Sequence, residues 1–218
     1  VLSSTEITNL YNTAFITTTQ IDSEYKYIMF ENDGTNQSPY SVTFHEDTTC
    51  DILIVGGGGA GGENAGGGGG AGGLVYGTGI TLNGSYDIIV GKGGSASGGS
   101  GFYSSITING VLVKALGGGG GANSFSTGAV GGSGGGGAAY MAEYAGGASN
   151  QTTSYNVGGM TFTGYGNAGG LGRLEEHGGW TRVGGGGGGA GAAGNTSGDY
   201  VSDTGQPARI AYGGDGEI

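Results

Sequence analysis

Runs of consecutive glycine recur along this chain, at residues 56–59, 66–70, 117–121, 134–137 and 184–189. Few structures can contain them. Each Gly costs about 1 kcal/mol relative to Ala inside a helix, so a run of five cannot be helical. Consecutive glycines can instead form an extended left-handed helix with three residues per turn and no internal hydrogen bonds. Its N–H and C=O groups point outward and need partners wherever they are buried. Glycine also loses more entropy on ordering than any other residue, so one rod alone stays a coil. Several rods side by side can bond to one another, helped by Cα–H···O contacts at close approach. The tracts are numerous enough to predict a polyglycine II-like bundle, or close-packed loops resembling one.

Sixty of 218 residues are glycine, a share at which disorder has to be weighed. Against disorder, hydrophobic residues still make up 35% and gather in short β-type runs. Tyr40, Val42 and Phe44 alternate with polar neighbours, the pattern of a half-buried strand. Residues 25–30 read as a second, wetter strand, and 50–55 as an apolar strand buried on both faces. Tyr86, Ile88 and Val90 point inward from another. Residues 105–108 and 111–115 flank Asn109-Gly110, the signature of a type I′ hairpin turn. Residues 171–177 alone have a helix-like composition, enough for one turn at most.

The expected fold is all-β: an antiparallel β-sandwich or jelly-roll over 21–116, with glycine-rich insertions. Residues 117–218 are then a glycine-rich lobe packed on that core. Residues 1–20 contain no glycine, and Phe15, Thr17, Thr19 and Ile21 are spaced as in an extended strand. That segment is either the first strand of its own sheet or an arm that adds to the edge of a neighbouring copy.

One stretch imitates a cofactor site. The strand 52–55 runs into Gly56, Gly58 and Gly61, which satisfy G-x-G-x-x-G. In a dinucleotide-binding fold that turn opens a helix whose N-terminus holds the pyrophosphate. Here Gly61 is followed by Gly62, Glu63, Asn64, Ala65 and five more glycines, so no helix can start. The acid expected about 20 residues further on to hold the ribose is missing as well. No cofactor is expected.

Other chemistry is sparse. His45 and His177 are far apart in sequence, and no Ser/His/Asp arrangement points to a nucleophile. Glu175, Glu176 and His177 have no second cluster at metal-ligand spacing. The oxygen-rich 31–34 segment lacks the spacing of a calcium loop and reads as a turn. No catalytic residue and no metal site is assigned, and the chain is expected not to be an enzyme.

The formal net charge is −11, with only six Lys and Arg. Binding nucleic acid or anionic lipid needs cations to replace released counterions, so neither partner is expected. No apolar run approaches the roughly 20 residues of a membrane span. A single cysteine, Cys50, excludes an internal disulfide and leaves the redox compartment open. Val1 in place of a start methionine suggests a processed or trimmed product. Asn83, Asn150 and Asn195 head N-x-S/T sequons, as does Asn36, which Pro39 makes less attractive. They are glycan acceptors if the chain is secreted, and chance matches in an Asn-, Ser- and Thr-rich chain otherwise.

Three blocks occur in order: residues 44–59, ending in Ile52-Leu53-Ile54-Val55 and four glycines; residues 82–94, with Gly84-Ser85-Tyr86-Asp87-Ile88-Ile89-Val90-Gly91; and Leu116 with the glycines of 117–121. The order resembles the glycine-rich domains of phage, algal-virus and giant-virus tail-fibre and adhesin proteins. The resemblance spans roughly residues 25–121. Those domains place a proline before the buried strand, where this chain has Glu46-Asp47. A more distant likeness is to the glycine-rich extracellular domain of certain receptor tyrosine kinases. The resemblance implies a non-enzymatic, structural or receptor-binding role.

Two functions are therefore expected to compete. One is an extracellular or virion-surface subunit that assembles with copies of itself into a fibre, with Phe15, Thr17, Thr19 and Ile21 in the contact. The other is an adhesin that stacks surface glycans or a receptor on Trp180, Tyr140, Tyr144 and Tyr165. The plainer role for these aromatics is to cover the flanks of the glycine bundle.

Overall fold

A computed structural model describes residues 16–21, 25–176, 180–196 and 213–216, with the backbone alone for 175, 176, 180 and 181. Among these residues the chain is all-β and antiparallel in its sheets, with no helix.

The body is one six-stranded sheet built on a long ribbon. Strand β3 (Gln37–Val55) pairs with β4 (Leu74–Gly91) from Gln37↔Gly91 to Val55↔Leu74, with register shifts between Phe44 and Thr48 and between Cys50 and Ile52. These irregularities let the ribbon bend back on itself, because an extra residue on one strand kinks the pair. Both its ends then meet: a Cβ on Gly57, just past β3, would land on the carbonyl of Lys92, just past β4.

The other edge of β4 is shared by two hairpins. Ile88 and Ile89 pair with β5 (Ser104–Ile108), which pairs with β6 (Val111–Ala115). Leu74–Tyr76 pair with β8 (Met160–Tyr165), which pairs with β7 (Ser154–Val157). The sheet order β6-β5-β4-β8-β7 is nearly closed into a barrel, since the Tyr155 hydroxyl on β7 donates to the Lys114 carbonyl on β6. Inside lie Val42, Phe44, Ile54, Val75, Ile80, Leu82, Ile106, Ile108, Val113, Val157 and Phe162. The core thus draws on residues from both sides of 116.

The turns behave as their chemistry requires. Asn109 and Gly110 both adopt positive φ, 51° and 75°, as the I′ turn needs. Tyr86 and Ile88 pack against the core. Two expectations fail. The segment 50–55 is covered on one face only: Ile54 is buried, while Leu53 is 60% and Val55 52% exposed. Among the described residues no second layer covers its outer face, so the strand alternates despite its apolar composition. Residues 171–176 do not make a helical turn either. Arg173–Glu176 is strand β9, paired with β10 (Trp180–Val183) from Val183↔Arg173 to Trp180↔Glu176. Cross-strand pairing overrides the weak helix preference of Leu and Glu.

A separate two-stranded sheet joins β1 (Ile16–Gln20) to β2 (Lys26–Phe30) in antiparallel register, Ile16↔Phe30 to Gln20↔Lys26. Ile28 and Phe30 of β2 pack on the core, and the Phe30 ring lies 5.6 Å from that of Tyr40.

Candidate functional site: a glycine-rod lattice and its exposed edges

The ends of the barrel strands feed glycine rods. Hydrogen bonds between rods advance by three residues, the repeat of a three-residue-per-turn extended helix. Gly56, Gly59 and Gly62 donate in turn to Gly73, Gly70 and Gly67, an antiparallel pair. Gly118 and Gly121 donate to Gly57 and Ala60, a parallel one. Parallel and antiparallel neighbours therefore coexist around one rod.

The rod 133–138 is the centre of this lattice and is buried throughout. It bonds to six others. Gly134 and Gly137 donate to Asn167 and Gly170, Gly135 to Ala129, and Gly136 to Gly68. It accepts from Gly119 and Ala122, from Tyr144 and Gly147, and from Gly185 and Gly188. The distances run from 2.7 to 3.0 Å. One hydrogen bond contributes about 1 kcal/mol net, against about 1–2 kcal/mol to fix one residue's backbone. A rod with a single neighbour would melt; six neighbours fill the donors and acceptors of 134–137 and bring backbones into close contact. Side chains fit only at chosen points. The Ser133 hydroxyl donates to the Gly72 carbonyl at 2.8 Å, so this buried polar group is satisfied.

Gly56, Gly58 and Gly61 lie in the first rod, bonded to 67–73, 94–102 and 118–121. The G-x-G-x-x-G match therefore marks lattice rather than the start of a helix.

Gln151 clips the lattice to the barrel. Its Oε1 accepts from the Leu116 N–H at 2.8 Å and its Nε2 donates to the Lys114 carbonyl at 3.0 Å. The sequence reading missed it. The only signal is a lone Gln amid Gly, Ser and Thr just before a strand.

The assembly candidates fall on β1 and its surroundings. Thr17 and Thr19 stand opposite Met29 and Tyr27, Ile21 is 63% exposed, and Phe15 lies outside the described residues. Tyr25, Tyr27 and Met29 are exposed too.

Of the aromatic candidates, Tyr140 is already engaged. Its ring meets Phe125 edge-on at 4.7 Å, and the Arg182 guanidinium sits 4.2 Å from its centroid. Tyr144 and Tyr165 are half-buried; the former bonds through its backbone to Ala138, and the latter pairs with Leu74. Trp180 belongs to β10 by its backbone, and its side chain lies outside those described. No ring contact joins Tyr140, Tyr144 and Tyr165 to one another among the described residues. Phe125, Val130 and Met141 are exposed near Tyr140 in sequence, and Met141 holds a positive φ of 58°. Sequence reasoning singled out none of these three.

Among the sequons, Asn83, Asn150 and Asn195 are exposed, and the Asn83 amide donates to Asp47 at 2.8 Å. The Ser38 hydroxyl of the fourth is buried and bonded to Asp33.

The oxygen-rich segment is a turn that satisfies itself. Asp33 accepts from the Ser38 hydroxyl at 2.6 Å and from the Thr35 hydroxyl and N–H, while Lys92 Nζ donates to the Gly34 carbonyl. The Ser38 and Thr35 hydrogen bonds hold the Asp33 carboxyl down at a pKa of about 2. Burial pushes the Cys50 thiol up, with Asp51 adding to the shift. No group of three or more His, Cys, Asp or Glu gathers at a metal-holding spacing among the described residues. The side chains of Glu175, Glu176 and His177 lie outside them.

No curated protein and no solved structure matches the chain. A family model, described as a glycine-rich domain, matches residues 35–217, which takes in both the barrel and the rods. The chain belongs to that glycine-rich domain family.

Proposed function

We propose that the chain is a structural subunit of an extracellular or virion-surface fibre, assembled from copies of itself through its N-terminal strand. The observation that carries this reading is the undefended edge at β1. Residues 7–21 contain no charge and no proline, two of the devices that ordinarily keep edge strands from pairing with other chains. A lattice held by backbone hydrogen bonds between rods gives the subunit the stiffness a fibre needs. Electron microscopy of the purified protein tests the reading. Filaments that disappear when residues 1–20 are removed support it; monodisperse monomers that never elongate, with or without those residues, sink it.

A second reading is favoured by the exposure of Phe125 (59%) and Met141 (70%), the first in ring contact with the Tyr140 that Arg182 covers and the second next to Tyr140 in sequence. There the chain serves as an adhesin domain that binds surface glycans, whose apolar C–H faces suit aromatic rings. A glycan array decides it: a signal lost in both Trp180→Ala and Phe125→Ala supports binding through these aromatics. An array blank for the wild type, or a signal untouched by both changes, removes the reading.

A further inference from the structure

Resting on the fibre reading, we infer that β1 is exchanged between copies. Ile16–Gln20 of one copy takes the place beside Lys26–Phe30 of the next, in the register seen within the chain.

Three observations lead there. First, the only strand partner of β1 among the described residues is β2, and the two share no backbone ladder with the six-stranded sheet. Second, anchoring is unequal. Ile28 and Phe30 fix β2 on the core, whereas no residue of β1 belongs to the core cluster. Withdrawing β1 therefore leaves β2 seated, with one edge open and Tyr27 and Met29 facing outward. A two-stranded sheet is marginal by itself, so the ladder is a weak hold. Third, β1 carries an isoleucine and three consecutive threonines, β-branched residues suited to pairing, with no charge to oppose a foreign edge.

The five residues 21–25 join the strands. Extended, they let Gln20 and Lys26 stand roughly 20 Å apart, so the exchange requires the acceptor β2 of the next copy to lie within that reach. The same five rungs form within one chain or between two, so exchange costs little and is favoured by concentration. Donor and acceptor are different surfaces of one chain. The contact is therefore heterologous, and propagates as a filament unless its rotation closes a ring.

A mixed-chain cross-link tests the exchange. In a Cys50→Ser background, chains bearing Thr17→Cys are dissociated, mixed with chains bearing Met29→Cys, reassembled and oxidised. These positions face each other across the ladder, and opposed Cα atoms about 4.5–5.5 Å apart lie within disulfide range. The expected result is a mixed disulfide at twice the chain mass that disappears on reduction. Its absence overturns the inference, the more directly if a chain carrying both cysteines closes an internal bridge. If either variant fails to fold, Thr19→Cys with Tyr27→Cys tests the neighbouring outward rung. Micrographs of the same samples separate the two claims. Filaments without the mixed disulfide leave the fibre reading and end the exchange; the disulfide in closed dimers or rings without filaments does the reverse.

Discussion

The Tyr155 hydroxyl on β7 donates to the carbonyl of Lys114 on β6 at 2.7 Å, joining the two ends of a sheet whose backbones do not pair there. Gln151 Nε2 reaches the same carbonyl at 3.0 Å. The two side chains should therefore differ in weight. Tyr155→Phe leaves Lys114 with Gln151, so a loss of about 1 kcal/mol or less is expected, the net value of one hydrogen bond. Gln151→Ala also strips the part-buried Leu116 N–H of its acceptor; leaving a donor unpaired costs up to about 1–3 kcal/mol where it is fully buried. Denaturant midpoints of the two variants should fall in that order. A larger loss from Tyr155→Phe would mean that the seam is held differently.

Amide exchange should reveal the lattice as a stable unit without regular secondary structure. Gly134, Gly135, Gly136 and Gly137 each donate to a rod, three different rods in all, and are buried. Freeing any of them means opening several rods together. Their exchange is expected to be as slow as that of Val113 in the barrel, at the global-opening end of the range. The amides of Gly58 and Gly61, for which the described residues supply no acceptor, should exchange orders of magnitude faster. Rapid exchange at 134–137 beside a protected barrel would show the rods opening on their own.

How far the sequence could lead is set by what each residue type encodes. Asn109-Gly110 announces its hairpin because few other residues tolerate two positive φ values, and the turn is there. The alternation Tyr40, Val42, Phe44 is likewise legible, and Val42 and Phe44 are buried. Rod partners are not legible. A tract without side chains carries no label, so nothing in 134–137 says that it lies beside 185–188 rather than 56–59. The second turn, Gly158-Gly159 with φ of 58° and 87°, was hidden for the same reason among so many glycines. Leu53 and Val55 misled in the opposite way: composition reports apolarity, whereas exposure depends on whether another layer exists. For the candidate site, the strand character of 16–20 was readable and its partner β2 was not, since five uncharged rungs fit many edges.

The turn before β3 should loosen in acid, and the direction follows from Asp33. Its carboxyl titrates at about 2 in the folded chain, against an ordinary 3.8, because the Ser38 and Thr35 hydrogen bonds favour the charged form. A depressed folded value contributes stability that is fully present above about 3.8 and is lost as pH falls towards 2. An NMR titration should give an Asp33 midpoint near 2, with the Ser38 and Thr35 signals moving alongside. A midpoint near 3.8 would show that these hydrogen bonds do not hold in solution. Asp33→Asn should remove the transition from both neighbours.

Glycines in the lattice should divide sharply into required and replaceable. A Cβ on Gly136 would land on the carbonyl oxygen of Gly185, which already accepts from Gly68. That obstacle is backbone inside a close-packed bundle, so nothing soft can yield. Overpacking commonly costs 1–3 kcal/mol, and Gly136→Ala is expected at or above about 3 kcal/mol. Gly58 differs: the nearest atoms to its Cβ position are the carbonyl oxygens of Ala71 and Gly70 at 3.7 Å, ordinary contact, and its φ is not positive. There Ala reduces the entropy of the unfolded chain, so Gly58→Ala should be neutral or stabilising by up to about 1 kcal/mol. Thermal and denaturant unfolding of the two variants measure the contrast. If Gly136→Ala were tolerated as well as Gly58→Ala, the central rod would not be seated among six neighbours.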